Sequence, residues 1–138
     1  MPEALRALQL LWALPCSAIG ALAGLAALAL GGSARRVDHT VEVAFRNQQA
    51  QVPPWVARRR FRAVTLGHVI IGQSHELLAV LRAHERVHVR QYEVFGALFL
   101  LAYPAASLLA LLRGHNPYHG NHFEQQAVAR TSTASKDA

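Results

Sequence analysis

Hydrophobic and polar positions follow three rhythms along this chain. From Val37 to Phe45 they alternate, with Val37, His39, Val41, Val43 and Phe45 on one side. Period two over that length predicts a strand. Asn47 to Trp55 reads as a loop, since Pro53-Pro54 disfavours helix. Phe61 to Gly72 (FRAVTLGHVIIG) is rich in β-branched residues and ends in glycine, which predicts a second strand. The rhythm then becomes helical from about His75 to Phe95, with no Pro or Gly before Gly96. Ser74 suits the N-cap, and Glu76 suits the positive end of the helix dipole. Leu77, Val80, Leu81, His84, His88, Gln91 and Phe95 share one face, predicted to point inward. Arg82, Arg86, Arg90 and Glu93 lie toward the other.

Two stretches are uncharged instead of periodic. Ala7 to Ala34 exceeds the roughly 20 residues needed to cross a bilayer core as a helix. Pro15 is expected to kink it, and Gly20 and Gly24 to permit close packing against another helix. An uncleaved membrane helix is favoured over a signal peptide, because the apolar core is long and only Arg6 makes the leading segment basic. Ala13-Leu14-Pro15-Cys16 lacks the small residue that a lipoprotein signal places before its cysteine. Ala97 to Leu112 is the second run, expected to span, to pack as a core helix, or to return as a hairpin around Pro104.

Charge sharpens this picture. The chain has 138 residues, which suits one small domain, and it is 52% hydrophobic but only 16% charged. Its net charge is +6, nearly all from arginine, with Lys136 the single lysine. Arg35, Arg36, Arg46, Arg58, Arg59, Arg60 and Arg62 follow the first apolar run, which places the next domain on the cytoplasmic side. Membrane lipid is therefore an expected partner; Arg58 to Arg62 read as a patch facing anionic lipid. No nucleic acid is expected, since aromatic residues do not interleave with the basic ones. Cys16 is alone, so no intramolecular disulfide is available.

The chemistry is concentrated at His84-Glu85-Arg86-Val87-His88. Two histidines four apart on a helix lie one turn above each other and can reach one metal ion. The intervening Glu85 can serve as general base toward a water whose pKa Zn²⁺ lowers from about 16 to about 7. Chance alone would give such a pattern in roughly two of a hundred chains of this composition, so its context must support it. A catalytic zinc needs a third protein ligand. A glycine and histidine at fixed spacing beyond the motif would supply one, but Gln91 and Val94 stand there. Glu124, on a helix that Asn121 can cap, is the leading candidate, with His119 and His122 as alternatives. Tyr118, His119 and His115 are candidates for stabilising an oxyanion.

His84-Glu85-x-x-His88 followed by Asn121-x-x-Glu124-x-x-Ala127 resembles the gluzincin zinc metallopeptidases, above all their small membrane-associated members. The likeness covers about Arg62 to Arg130. The longer pattern, LRAHERVHVRQYEVFGALFLLAYPAA and then NPYHGNHFEQQA, also resembles short bacterial proteins of unassigned function. The gluzincin resemblance implies His84, His88 and Glu124 as ligands of Zn²⁺ and Glu85 as the catalytic base. It also implies that the strand around Ala63 to Ile71 borders the cleft and pairs with an extended peptide substrate.

The expected fold is α+β and mostly helical. Residues 1–34 form a membrane helix or signal-anchor. Residues 35–130 form a zincin-like unit of short antiparallel strands, the motif helix, an apolar helix or hairpin, and a Glu-bearing helix. Residues 131–138 are a disordered tail. The metal hypothesis requires that Ala97 to Leu112 not cross the bilayer, because a crossing would part His88 from Glu124. Two functions follow: a membrane-associated zinc metallopeptidase, or a non-catalytic membrane protein whose motif is a structural metal site or a metal-free polar core.

Overall fold

A computed structural model describes residues 2–45 and 63–137, with side chains described as far as residue 132. The predicted loop at Asn47 to Trp55, and the arginines from Arg46 to Arg62, lie outside the described residues.

Helix α1 (Glu3–Ala29) comes first, then strands β1 (Ser33–Val37), β2 (Thr40–Ala44), β3 (Ala63–Leu66) and β4 (Val69–Gly72). Helix α2 (His75–Phe95) follows, then a 3₁₀ turn (Gly96–Leu98), α3 (Phe99–Leu112) and α4 (His122–Asp137). The last helix thus runs through the stretch read as a disordered tail. The fold is α+β and mainly helical, as the sequence suggests.

Each expected strand belongs to a hairpin: the second contains both of its strands, and the first contains the end of β1, the turn and β2. Val37 to Phe45 folds back at Asp38-His39, where Asp38 takes a φ of 52°. Asp reaches the left-handed region more readily than most residues, and Thr40 Oγ1 closes the turn by donating to the Val37 carbonyl at 2.9 Å. Phe61 to Gly72 folds back at Gly67-His68, with Gly67 at φ 63°. The alternation hides both bends because two-residue turns keep the partners in register: Val37 faces Thr40, and Leu66 faces Val69. The sheet order is β1-β2-β4-β3. The two hairpins are antiparallel, but they meet through a parallel β2–β4 pair, so the sheet is mixed and not simply antiparallel.

Both faces of this sheet are covered. Val43, Val69 and Ile71 pack with Ala27 of α1 on one side. Ala44 and Ile70 pack with Leu78 and Val89 of α2 on the other. Glu42, 1% exposed, also faces α2 and meets the Arg82 guanidinium through Nη2 at 2.9 Å and Nε at 3.1 Å. A third core, where the helices meet, holds Ala13, Cys16, Tyr92, Phe99 and Phe123.

α1 touches the domain through a narrow stripe of small residues: Ala13, Cys16, Gly20, Gly24 and Ala27. A Cβ on Gly20 would come within 2.6 Å of the Leu66 carbonyl oxygen, so the close packing expected of Gly20 is made against the sheet. The rest of the helix circumference is apolar and open, with Leu8, Leu11, Leu22 and Leu25 each more than 60% exposed. Pro15 lies inside the helix without ending it.

A polar clamp holds α1 at the second turn. The Ser17 hydroxyl accepts from the His68 backbone N–H at 3.0 Å and meets its ring Nδ1 at 3.2 Å, while His68 Nε2 lies 3.0 Å from Glu93 of α2. A Cβ on Gly67 would fall 2.3 Å from Ser17 Oγ and 2.4 Å from the Ser17 nitrogen. Gly67→Ala therefore combines a strained φ with a collision. It is expected to cost about 2–4 kcal/mol, read as a lower urea midpoint at unchanged slope.

The burial of α2 departs from the predicted single face. Val80 is 78% exposed and Phe95 37%, whereas Leu78, Glu85, Val87, Val89 and Tyr92 are buried beside His88 and Gln91. The helix is clasped by the sheet on one side and by α3 and α4 on the other, so its buried arc is wider than one stripe. Of the alternatives for the second apolar run, a hairpin around Pro104 is not formed. Pro104 sits within a continuous α3. The chain turns at Gly96 (φ 58°), against Trp12, and again from Gly114 (φ 77°) to Asn121.

Candidate metal centre

Ser74 caps α2 by accepting the Leu77 N–H at 3.2 Å, and this starts the helix in the phase that presents His84 and His88 together. Their rings are 5.0 Å apart, edge to face. Asn121, fully buried, fixes the second half of the site. Its Oδ1 accepts the Phe123 N–H at 2.9 Å, and its Nδ2 donates to the Tyr103 carbonyl and to Ser107 Oγ. One side chain thereby caps α4 and ties its first turn to α3. Glu124 then lies over the two histidines, with Oε2 3.0 Å from His84 Nε2 and Oε1 3.2 Å from His88 Nε2.

The three donors lie within 4.8 Å of one another. A tetrahedral ion with bonds of about 2.0–2.1 Å needs donors a little over 3 Å apart. Proton bookkeeping points the same way. The Gln91 amide nitrogen donates to the Phe123 carbonyl at 3.1 Å, an oxygen that can only accept, and to Gln126 Oε1 at 2.8 Å. Gln91 Oε1 must therefore be the atom facing His88 Nδ1, at 2.8 Å. His88 keeps its proton on Nδ1, and Nε2 turns toward a carboxylate. That arrangement requires positive charge between Nε2 and Glu124, supplied by a second proton or by a metal ion.

Burial pushes the Glu124 carboxyl up, but hydrogen bonds from His84, His88 and Tyr103 overcome it and hold the group well below the usual carboxylate range. Glu124 is thus a charged carboxylate although only 4% exposed, which suits it to hold a cation. Replacing Gln91 by alanine removes the acceptor that fixes the His88 tautomer. Affinity for a divalent ion at this cluster is expected to fall about 10–100-fold in a competition titration, the usual effect of losing such a partner.

Beside the three ligand groups lies a cavity of about 210 Å³, lined among others by Thr65, Glu85, His88, Tyr103, Tyr118 and Glu124. Glu85 is 6% exposed and receives the Thr65 hydroxyl at 2.7 Å. Thr65 belongs to β3, the edge of the sheet; among the described residues β3 has no strand on its outer side.

The structure thus brings His84, Glu85, His88 and Glu124 to one place. His119 and His122, the alternative ligands, are exposed. Of the oxyanion candidates, Tyr118 borders the cavity, whereas His115 and His119 do not line it. Tyr103, absent from those candidates, donates its hydroxyl to Glu124 Oε1 and lies edge-on to the His88 ring. It carried a signal. Tyr103 and Ser107 are the only hydroxyls in the uncharged run, one helical turn apart, and both face the returning segment. No protein-family model, curated protein or solved structure matches this chain.

Proposed function

We propose that this chain is a membrane-associated zinc metallopeptidase. The observation that carries the reading is the placement of Glu85 in the same cavity as His88 and Glu124, beside the three-ligand cluster. A purely structural metal site has no need of a buried carboxylate next to it. Two neutral imidazoles and a carboxylate suit Zn²⁺ best among common divalent ions. His84, His88 and Glu124 would hold it.

When bound, zinc supplies Lewis acidity and lowers the pKa of water at its open position to about 7. The chain's own groups do the rest. Thr65 holds one Glu85 oxygen, leaving the other to take the proton of the attacking water and pass it to the leaving amine. Gln91 keeps His88 in the ligating tautomer. Tyr103 spends its one hydroxyl proton on Glu124 Oε1 and so keeps that carboxylate charged and in place. The outer edge of β3 offers backbone groups to an extended peptide, with Ala63 and Val64 at the cavity wall.

Membrane association is supported by α1 (Glu3–Ala29), which is long and apolar enough to cross a bilayer. A full crossing by the apolar run Ala97 to Leu112 is incompatible with the site, because Glu124, beyond that run, returns to 3.2 Å from His88, before it. The exposed leucines of α1 and those of α3 (Leu101, Leu108, Leu112) are the surfaces left for lipid.

The test is a digest. Zinc-loaded full-length protein is mixed with a peptide library, and new N-termini are read by mass spectrometry. Cleavage that a chelator abolishes supports the proposal. Zinc bound tightly without any cleavage would leave the structural-site reading in its place.

A further inference from the structure

A second cavity lies apart from the metal centre, where the start of α1, the Asp38-His39 turn and the outer face of α2 converge. It is a groove of about 300 Å³ whose walls include Arg6, Asp38, His39, Arg86, Arg90 and Glu93. Its charges do not cancel. Asp38 is taken by an ion pair with Arg86, and Glu93 is engaged by His68 Nε2 at 3.0 Å. Among the described residues neither Arg6 nor Arg90 has a carboxylate partner in an ion pair. Residues 46–62 contain no Asp or Glu that could reach them. Three arginines against two acids leave the groove at a net +1: Arg86 and Asp38 pair with each other, and Arg6 and Arg90 face one carboxylate, Glu93, which His68 already engages.

What stands next to the groove indicates the ligand. Arg6 is the last charge before the uncharged run from Ala7 to Ala34. Leu10 and Leu14, four and eight residues on from Arg6 and on its side of α1, are 41% and 55% exposed. A guanidinium-lined groove that opens at the foot of a bare apolar helix matches a molecule with a phosphate at one end and hydrocarbon at the other. Arginine is suited to the phosphate end because its planar fork binds two oxygens at once. We infer that the groove between Arg6 and Arg90 is a binding site for the phosphate headgroup of an anionic phospholipid, whose acyl chains lie along the exposed leucines of α1.

The inference rests on membrane association but not on the metal or on peptidase activity. It is tested by co-flotation of the full chain with vesicles of phosphatidylcholine, with or without phosphatidylglycerol. The variants are Arg6→Ala, Arg90→Ala and the double substitution, with Arg130→Ala, exposed and outside the groove, as control. Circular dichroism and thermal melting check that each variant keeps its fold.

Expected is a preference of the wild type for the anionic vesicles. Each groove substitution should reduce that preference roughly fivefold, the worth of one arginine at an anionic surface, and the double variant should reduce it more than fivefold. Arg130→Ala and binding to pure phosphatidylcholine should be unaffected by comparison. An equal loss in Arg130→Ala would mean diffuse surface attraction and overturn the site. Equal binding of wild type to both vesicle types would overturn it while leaving the membrane reading intact. Displacement by millimolar inorganic phosphate, beyond that caused by chloride at equal ionic strength, would reassign the groove to free phosphate and overturn the lipid assignment.

Discussion

Zinc is expected at one ion per chain in the wild type, and neither His88→Ala nor Glu124→Ala should retain it. The argument is one of donor count and charge. Three donors converge, and each is irreplaceable by its neighbours: His115, His119 and His122 are exposed, and the other carboxylate at the cavity, Glu85, is engaged by Thr65. Removing Glu124 also removes the only anionic ligand, leaving two neutral imidazoles to hold a divalent cation. Outer partners alone are worth 10–100-fold in metal affinity, so loss of a ligand should exceed about a hundredfold. Metal content by elemental analysis, beside a chelator-competition titration, reads this directly. His122→Ala, two residues from Glu124 but exposed, should bind zinc as the wild type does. Stoichiometric zinc in Glu124→Ala would break the link between the motif helix and the last helix, and with it the proposed site.

The second large effect is expected at Glu85. Glu85→Gln keeps the size of the side chain and an oxygen to accept the Thr65 hydroxyl, but it cannot take a proton. Peptide hydrolysis should fall by about 10²–10⁴, the range for loss of a positioned general base, with zinc content unchanged. The pairing of the two readouts matters. A residue that only shaped the cavity would alter metal binding or stability together with turnover. Turnover that survived Glu85→Gln would remove the base from the mechanism even if zinc remained.

Much of this arrangement was legible before any coordinates. The motif helix begins at His75 and ends at Phe95, because the signals that bound it are local: a serine N-cap and a terminal glycine. Asn121 as the cap of the Glu-bearing helix is equally local, an acceptor two residues ahead of a free N–H. The two hairpins were not legible, since a two-residue turn preserves the alternation on which strand prediction rests. The parallel β2–β4 pairing is non-local, a matter of where the second hairpin docks. The buried arc of α2 was read too narrowly, because periodicity reports one packing partner and this helix has several. Tyr103 was missed for a related reason: its role depends on the path of the chain after Gly114, not on its neighbours.

The bonds made by Gln91 have a consequence for the last helix. The same amide that orients His88 holds the Phe123 carbonyl and Gln126, both on α4, while Glu124 joins that helix to both histidines. Any ion seated there would therefore be coupled to docking of the C-terminal helix. An ion bridging His88 and Glu124 closes a loop of chain, and a ligand held a thousandfold above its dissociation constant adds about 4 kcal/mol to a fold that only the docked form can bind. Under the proposed zinc reading, free zinc concentration would set how firmly the last helix is held against the motif helix.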